Sequence, residues 1–313
     1  MGRVWLGIIL ILAITSFLAS FVEARILGPA EAEMFIQQLI ERSTSQNFWG
    51  LWQEKDRITS KNRFLEVIFL ENGGFGWTNL KDDHSRFSVE KDGLCYVFDV
   101  NSQQLIQVYP LLDSPFLPLR PQEVPLFLEN YLVDLQGDRV FFLERESGEI
   151  KRSLLLDNGS VRGQTWYQPD GRVKREGKFV YQDFTPEWKE LDSWLEIMEQ
   201  ALPQASLSYQ TSVSLSADFP QVLVPGFRLL RIFLVKNKEG EWHQLVYGDG
   251  LQRISLVRSR FPYQFSSDFL KKTITVSESS QGTTIVEKDR GHLLIATGDF
   301  SQEMFQAILE SIK

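Results

Sequence analysis

From Phe48 onward, turn residues divide the chain into short apolar runs, and this pattern restricts the fold more than any other feature of the sequence. Between Phe48 and Tyr109, six runs the length of a β-strand follow one another without an intervening helix, and dipeptides such as Asn72-Gly73 and Asp92-Gly93 separate some of them. Both positions of such a dipeptide tolerate positive φ, which is typical of tight hairpins. Successive strands without crossover helices predict an antiparallel meander rather than a parallel sheet of βαβ units.

The first two thirds of the chain therefore predict one large, curved antiparallel sheet with helices packed against it. An amphipathic helix is predicted at 30–42, where apolar residues recur at three- and four-residue spacing. A proline-rich break covers 110–125, and a second, short helix is predicted at 124–133. The predicted strands span 48–59, 63–71, 75–80, 86–90, 94–100, 104–109, 139–146, 149–157, 163–168 and 172–183.

The rest of the chain predicts a smaller, separate α/β domain. A helix that starts at Thr185 and ends at Pro203 closes the first domain, and a Ser-rich linker follows at 206–216. Strands are predicted at 228–235, 242–247, 251–257, 273–277, 283–287 and 292–296, and a last helix starts at Ser301. The predicted domains are 25–205 and 206–313.

The first residues have the composition of an export signal. Arg3 precedes an apolar run at 4–21, and Val22-Glu23-Ala24 resembles a small-x-small cleavage site. The sequence predicts a signal peptide at 1–24 and a periplasmic mature chain, with an uncleaved membrane anchor as the alternative. The net charge of −8 and the lack of a basic tract argue against nucleic-acid binding.

Motifs of common enzymes are missing from the sequence. It contains no G-x-S-x-G elbow, no H-E-x-x-H helix and no C-x-x-C pair, and Gly73-Gly74-Phe75-Gly76 lacks the lysine of a phosphate loop. The lone cysteine, Cys95, lies in an apolar run and is interpreted as a small core residue. We therefore expect a binding protein without catalytic residues, cofactor or metal.

Two groups of residues are candidates for binding. Aromatic residues crowd the early strands and can line an apolar pocket for acyl chains on a concave sheet, although they can equally fill the core. Arginines in the C-terminal domain can form a basic surface for an acidic peptide or anionic lipid, although a solvated face of mixed charge is the alternative. The pocket candidates are Trp49, Trp52, Phe64, Phe69, Trp77 and Phe98, and the partner-binding candidates are Arg228, Arg231, Arg253, Arg258 and Arg260.

The C-terminal domain carries a likeness to a known family. The stretch 219–227 contains Pro225-Gly226-Phe227, and the stretch 245–251 contains Tyr247-Gly248-Asp249-Gly250. Together with the leader that runs into a helix and first strand, and the strand that passes into a helix before Pro203, this layout resembles the RseB/MucB family. Members of that family are periplasmic regulators of the sigma-E envelope stress response.

The resemblance implies a fold and a function. The first domain would have the lipoprotein-carrier (LolA-like) fold, a half-open β-barrel covered by helices. The second domain would help to hold the periplasmic segment of a single-span anti-sigma factor, which lipid or lipopolysaccharide then releases. The alternatives are a periplasmic carrier of lipid or lipoprotein that acts through the first domain, and a structural subunit of the envelope. Whether the chain forms a homo-oligomer stays open, and the insert at 110–125 departs from the family and leaves the ligand open.

Overall fold

The computed structural model describes two antiparallel sheets and the helices that pack against the first of them. The predicted signal, the predicted helix that follows Thr185 and the residue Arg260 fall outside the described residues, except for Ala24 and Glu196. In the part that is described, no helix has both the length and the apolar character needed to cross a membrane. The described residues are 24–69, 75–79, 86–91, 94–102, 104–112, 116, 119–184, 196, 209–211, 222–237, 240–259, 274–279, 282–289, 292–298, 304 and 307–308.

The first sheet contains twelve of the described strands, all paired antiparallel. They are β1 (Arg25–Ile26), β2 (Phe48–Asp56), β3 (Asn62–Phe69), β4 (Phe75–Asn79), β5 (Arg86–Lys91), β6 (Leu94–Asp99), β7 (Gln104–Pro110), β8 (Tyr131–Gln136), β9 (Arg139–Glu144), β10 (Ile150–Asp157), β11 (Ser160–Tyr167) and β12 (Val173–Asp183).

Two meanders, β2–β7 and β8–β12, form this sheet. The pairing of β12 with β2 joins them, so the strand order is β1-β8-β9-β10-β11-β12-β2-β3-β4-β5-β6-β7. The two end strands, β1 and β7, do not pair with each other among the described residues, and the sheet is open rather than a closed barrel. The predicted large antiparallel sheet is confirmed.

The turn between β10 and β11 shows how local sequence sets the hairpins. Asn158 has a φ of 51° and Gly159 a φ of 80°, both in the left-handed region. That conformation matches the right-handed twist of the flanking strands in a two-residue hairpin. The turn brings Asp157 opposite Ser160 and so sets the register of the pair.

Helices cover one face of the second meander. Helix α1 (Pro29–Thr44) begins with a proline at its first turn, and a short 3-10 turn (Pro121–Glu123) leads into α2 (Val124–Asn130). The apolar faces of both helices pack on β8–β11 and form what we call the helix core. Its buried members are Leu27, Ala32, Ile36, Leu39, Ile40, Leu119, Val124, Phe127, Tyr131, Val133, Val140, Phe142, Leu154, Val161 and Leu251.

Two sequence predictions were wrong in this part of the chain. The predicted helix at 124–133 ends at Asn130, and β8 begins with the next residue. The β8 backbone pairs with both β1 and β9, and this pairing overrides the helix-like spacing of the apolar residues. The predicted linker at 206–216 contains a further strand, Tyr209–Thr211, which also pairs.

The second sheet belongs to the C-terminal part of the chain and is mostly strand. Its described strands are β13 (Tyr209–Thr211), β14 (Val222–Val224), β15 (Phe227–Asn237), β16 (Gly240–Gly248), β17 (Arg253–Ser259), β18 (Ile274–Ser279), β19 (Gly282–Asp289) and β20 (His292–Gly298). The order is β13-β15-β16-β17-β20-β19-β18, and β14 pairs with β15. Near the C-terminus Ile308, in a helical stretch, is fully buried against this sheet.

The two faces of the first sheet have different neighbours. One face carries an aromatic core that includes Phe48, Trp52, Phe116, Trp166 and Phe179. The other face carries a junction core, where buried side chains of β3, β5 and β6 pack with side chains of β15 and β16. The second sheet therefore packs against the first sheet and is not connected to it by the chain alone. The buried members of the junction core are Ile68, Phe87, Val89, Leu94, Tyr96, Phe98, Phe233 and Val246.

Candidate binding sites

The six aromatic candidates for an apolar pocket lie on both faces of the first sheet. Trp52 and Phe69 are buried in the aromatic core and Trp77 packs against it. Phe98 is buried in the junction core, and Trp49 packs against that core. Phe64 is half-buried on β3. Because strand residues alternate between faces, the structure does not bring the six together in one pocket.

Stacked and edge-on rings fill the aromatic core. The Trp52 ring centroid lies 4.9 Å from that of Phe179 and 5.3 Å from that of Phe116. At the end of this core, between the C-terminal end of α1 and the sheet, a cleft of about 30 Å³ is lined by Phe48, Phe69, Phe116, Phe179 and Phe184 together with polar residues such as Arg42 and Gln182. The cleft has room for about one water molecule. An acyl chain would need the rings to move apart.

A charged cluster continues the aromatic core along the same face. Glu54 is buried, and its Oε1 lies 2.9 Å from Nε of Arg63. The guanidinium of Arg175 lies 3.9 Å from the ring centroid of Trp166, and that of Arg152 lies 5.1 Å from it. Cation–π contacts of this kind stabilise buried arginines that would otherwise lose hydration.

The turn that links β16 to β17 inserts into the first part of the chain. We call this turn, residues 248–251, the interlock turn. The carboxylate of Asp249 accepts the backbone N–H groups of Leu251 (2.9 Å) and Gln252 (2.7 Å) and the hydroxyl of Tyr131 (2.5 Å). The side-chain amide of Asn130 donates to the Asp249 carbonyl at 3.0 Å. Leu251 completes the helix core, so a C-terminal side chain fills an N-terminal core.

Burial dominates the electrostatics of the interlock turn. It raises the pKa of the Asp249 carboxyl, although the hydrogen bond from Tyr131 and the backbone N–H groups act in the other direction. The pKa of Tyr131 is also raised, first by burial and then by the neighbouring charge of Asp249. The three hydrogen bonds therefore offset only part of the cost of burying the ionised carboxyl, and the loss of any one of them would leave a buried polar group without its partner.

A buried ion network forms the second half of the junction. Arg253 donates through Nη2 to Glu123 at 2.6 Å, and Arg120 donates through Nη2 to Glu90 at 2.7 Å. Burial raises the pKa of Glu90, against the opposing charge of Arg120. Burial also lowers the pKa of Arg120, with the charge of Arg253 acting in the same direction. The network connects β5 and the turn before α2 to β17.

The five arginines that were predicted to bind a partner differ in their burial and in their contacts. Arg253 is buried in the network, and Arg228 is exposed but pairs with Glu129 of α2. Arg231 is half-buried on β15. Arg258 lies on β17, where its backbone pairs with His243 and Leu294, and Arg260 is outside the described residues. Among the described residues, Arg228, Arg231 and Arg253 therefore interact with other groups of the chain.

A groove of about 460 Å³ opens beside the interlock turn, and residues of both sheets line it. We call it the junction groove. From the first sheet it takes Glu144, Lys151 and Tyr167, and from the second part of the chain it takes Phe227 and Gln252. Its walls therefore carry aromatic rings and charges of both signs. No sequence prediction pointed to this groove, because its walls come together only through contacts between residues more than a hundred positions apart, such as Tyr131 and Asp249.

Metal-ligating residues do not cluster in the part of the chain that the structure describes. No group of three or more His, Cys, Asp or Glu side chains there could hold a metal ion. Cys95 is fully buried, and burial raises the pKa of its thiol to about 12. It is a core residue, as the sequence predicted.

The chain is similar to solved structures of MucB. A chain of the Pseudomonas aeruginosa MucA/MucB complex matches at 16% identity with a TM-score of 0.49, covering 88% of this chain and 96% of that chain. A crystal structure of MucB matches at 16% identity with a TM-score of 0.42, covering 90% and 97%. A putative outer membrane lipoprotein-sorting protein domain from Vibrio parahaemolyticus matches at 10% identity with a TM-score of 0.29, covering 55% and 100%.

Sequence comparisons give no match. No protein-family model matches the chain. No curated protein matches it either. The structural likeness at this level of identity concerns the fold, and the MucB structures belong to the family that the sequence resembles.

Proposed function

We propose that this chain is an exported binding protein of the bacterial envelope that holds the periplasmic segment of a single-span anti-sigma factor in its junction groove. The observation that carries the proposal is the groove itself, which residues of both sheets build around a buried, hydrogen-bonded junction. The binding surface therefore exists only when both parts of the chain are docked.

The lining of the groove suits a polypeptide segment. Tyr167 is half-buried at the groove and offers aromatic surface for an apolar side chain, and tyrosine rings are common energetic centres of protein interfaces. Glu144 and Lys151 are 3.1 Å apart at the groove and offer charges of both signs. Charged groups at the rim of a groove determine the register in which a segment binds more than they increase its affinity.

The buried junction gives the groove fixed walls. The Arg253–Glu123 ion pair and the Asp249–Tyr131 hydrogen bond connect the two sheets in a water-poor environment. A groove whose walls are already in place loses little conformational entropy when a partner binds. The junction thus holds the groove walls in place, and its residues Tyr131 and Asp249 also line the groove.

The class of partner follows from the sequence resemblance. The stretches 219–227 and 245–251, which carry the likeness to the RseB/MucB family, contribute Pro225, Gly226, Phe227 and Asp249 to the groove. The stretches that suggested the family therefore form part of the groove wall. The periplasmic location is proposed on the same grounds.

Site-specific photo-crosslinking in intact cells tests this function. A photoreactive amino acid replaces Tyr167 in the groove or, as the control, the exposed Arg86 on β5. We expect the first variant to capture a single-span membrane protein, identified by mass spectrometry, and the control to capture none. Equal capture from both positions, or no membrane protein from Tyr167, would contradict the proposal.

A lipid or lipoprotein carrier is the second candidate, and the phenylalanine-lined cleft at the end of the aromatic core favours it. The cleft holds only about 30 Å³, whereas even pockets for small-molecule ligands occupy roughly 300–1,000 Å³. This function therefore requires the rings of Phe179 and Phe184 to move. Mass spectrometry of organic extracts of the purified full chain tests it, and a lipid-free chain that takes up no added lipid would reject it.

A further inference from the structure

A second groove lies on the face of the first sheet opposite to the aromatic core. It has a volume of about 400 Å³ and is lined by side chains of β2, β9, β10, β11 and β12. Strand alternation places Lys55, Thr165 and Lys178 on the outward face, because their neighbours Trp52, Trp166 and Phe179 point into the aromatic core. We call it the outer groove. It shares no lining residue with the junction groove.

The register of the strands explains the shape of the outer groove. Arg139 is opposite Leu155, Leu155 is opposite Gly163, and Gly163 is opposite Lys178, so these residues form a row across four strands. At the usual spacing of ~4.8 Å between strands, the row is about 14 Å long. Gly163 adds no side chain in the middle, and an added Cβ would lie only 3.2 Å from Cβ of Lys178. The row therefore forms a shallow depression at Gly163, with the basic residues Arg139 and Lys178 at its two ends.

Three cations surround this floor. Lys178 and Arg139 are the exposed ends of the row, and Lys55 lies diagonally from Lys178 on β2, at a separation of about 7–8 Å. Among the ion pairs and hydrogen bonds of the described residues, none involves these three side chains. The groove also contains a carboxylate, Glu176, and this one is paired with Arg57 outside the groove.

We propose that the outer groove binds an acidic polypeptide segment, whose carboxylates pair with Lys55, Lys178 and Arg139. The local positive charge contrasts with the net charge of −8 of the whole chain, so it attracts anions that the rest of the surface repels. An extended segment of about five residues spans the 14 Å row. Because the groove is recessed and Leu155 forms part of its floor, a peptide with side chains fits it better than a flat bilayer surface.

Fluorescence anisotropy on the full chain tests this proposal. The probe is a fluorescein-labelled peptide of alternating Glu and Ser, and the neutral counterpart replaces each Glu by Gln. We expect binding of the acidic peptide alone, weakening as salt rises. Lys178→Gln and Arg139→Gln should each weaken binding about threefold to fivefold, the effect of one exposed ion pair. Arg86→Gln removes the same charge at an exposed position on β5 and should leave binding unchanged.

Substitution of Glu176 should change the affinity for the acidic peptide in the opposite direction. Glu176→Gln removes the carboxylate from the groove and should tighten the acidic peptide about twofold to fivefold. Equal binding of the neutral peptide, or equal affinity in all variants, would overturn the proposal. The proposal would also be overturned if the chain did not bind the acidic peptide but bound phosphatidylglycerol vesicles through Lys178 and Arg139. Circular dichroism of each variant confirms that these surface substitutions leave the fold intact.

Discussion

The substitution Gly250→Ala tests whether the interlock turn is seated as described. Gly250 has a φ of 97°, a conformation that L-residues other than glycine rarely adopt. An added Cβ would overlap the backbone nitrogen and Cα of Phe127, which lie in α2 and cannot move as a flexible side chain can. The variant therefore carries two penalties, one from the backbone and one from the contact with the first part of the chain.

The matched control is Gly171→Ala in the turn between β11 and β12. Gly171 has a φ of 79°, and nothing lies within 4 Å of an added Cβ. The control carries only the backbone penalty, roughly 1–2 kcal/mol. Gly250→Ala carries that penalty and an overpacking penalty of roughly 1–3 kcal/mol more. We expect a total loss of about 4 kcal/mol for Gly250→Ala and about 1.5 kcal/mol for Gly171→Ala.

Urea unfolding followed by tryptophan fluorescence measures both losses. Limited proteolysis under native conditions adds a second readout, since an unseated turn should open the chain between its two sheets. Gly250→Ala should then be cleaved faster than Gly171→Ala. Equal free energies of unfolding for the two variants would contradict the described seating of the turn, because the contact with Phe127 would then contribute nothing.

Further predictions concern the charges at the junction. Glu123→Gln should lower the free energy of unfolding by about 3 kcal/mol, because it leaves the charge of Arg253 buried without its counter-charge. The exposed ion pair between Arg228 and Glu129 offers a control. Glu129→Gln removes the carboxylate from that pair and should lower the free energy of unfolding by less than about 1 kcal/mol in the same urea assay. Burial raises the pKa of Asp249 above its ordinary value of 3.8, so the folded chain binds this proton more tightly than the unfolded chain and loses stability as the pH rises above 3.8. Compared with Asp249→Asn, the wild type should show a steeper decline in its urea midpoint on going from acidic to neutral pH. If the urea midpoints of the two proteins depended on pH in the same way, the raised pKa of Asp249 would be contradicted.

Local sequence predicted the elements of this fold well. Turn residues separate the predicted strands 149–157 and 163–168, and Asn158 and Gly159 between them both have positive φ, because that turn chemistry is decided within the turn. Helix α1 was predicted from the spacing of its apolar residues, and the structure buries four residues of the predicted face. Strand β8 was missed because its apolar residues continue the spacing of α2, and only pairing with β1 and β9 decides the matter.

The binding surfaces were beyond sequence reasoning for a different reason. Asp249 looked like an ordinary turn residue, and nothing near it in sequence shows that Tyr131 donates to it. Arg253 looked like a surface cation, but its carboxylate partner lies 130 residues away. The outer groove depends on the register of Arg139, Gly163 and Lys178, which comes from pairing between strands and not from spacing along the chain.

The insertion of Leu251 into the helix core has a consequence for the order of folding. A chain is made from its N-terminus, and its domains generally fold in that order. Here the core around Ile36 and Phe127 lacks one of its buried side chains until residue 251 has been made. Contacts of such high sequence separation close late and slowly, because the entropy of a long loop must be lost first. The predicted domain boundary lies near residue 205, but Leu251 reaches the helix core from beyond it, so we expect the first part of the chain to reach its full stability only after the interlock turn has docked.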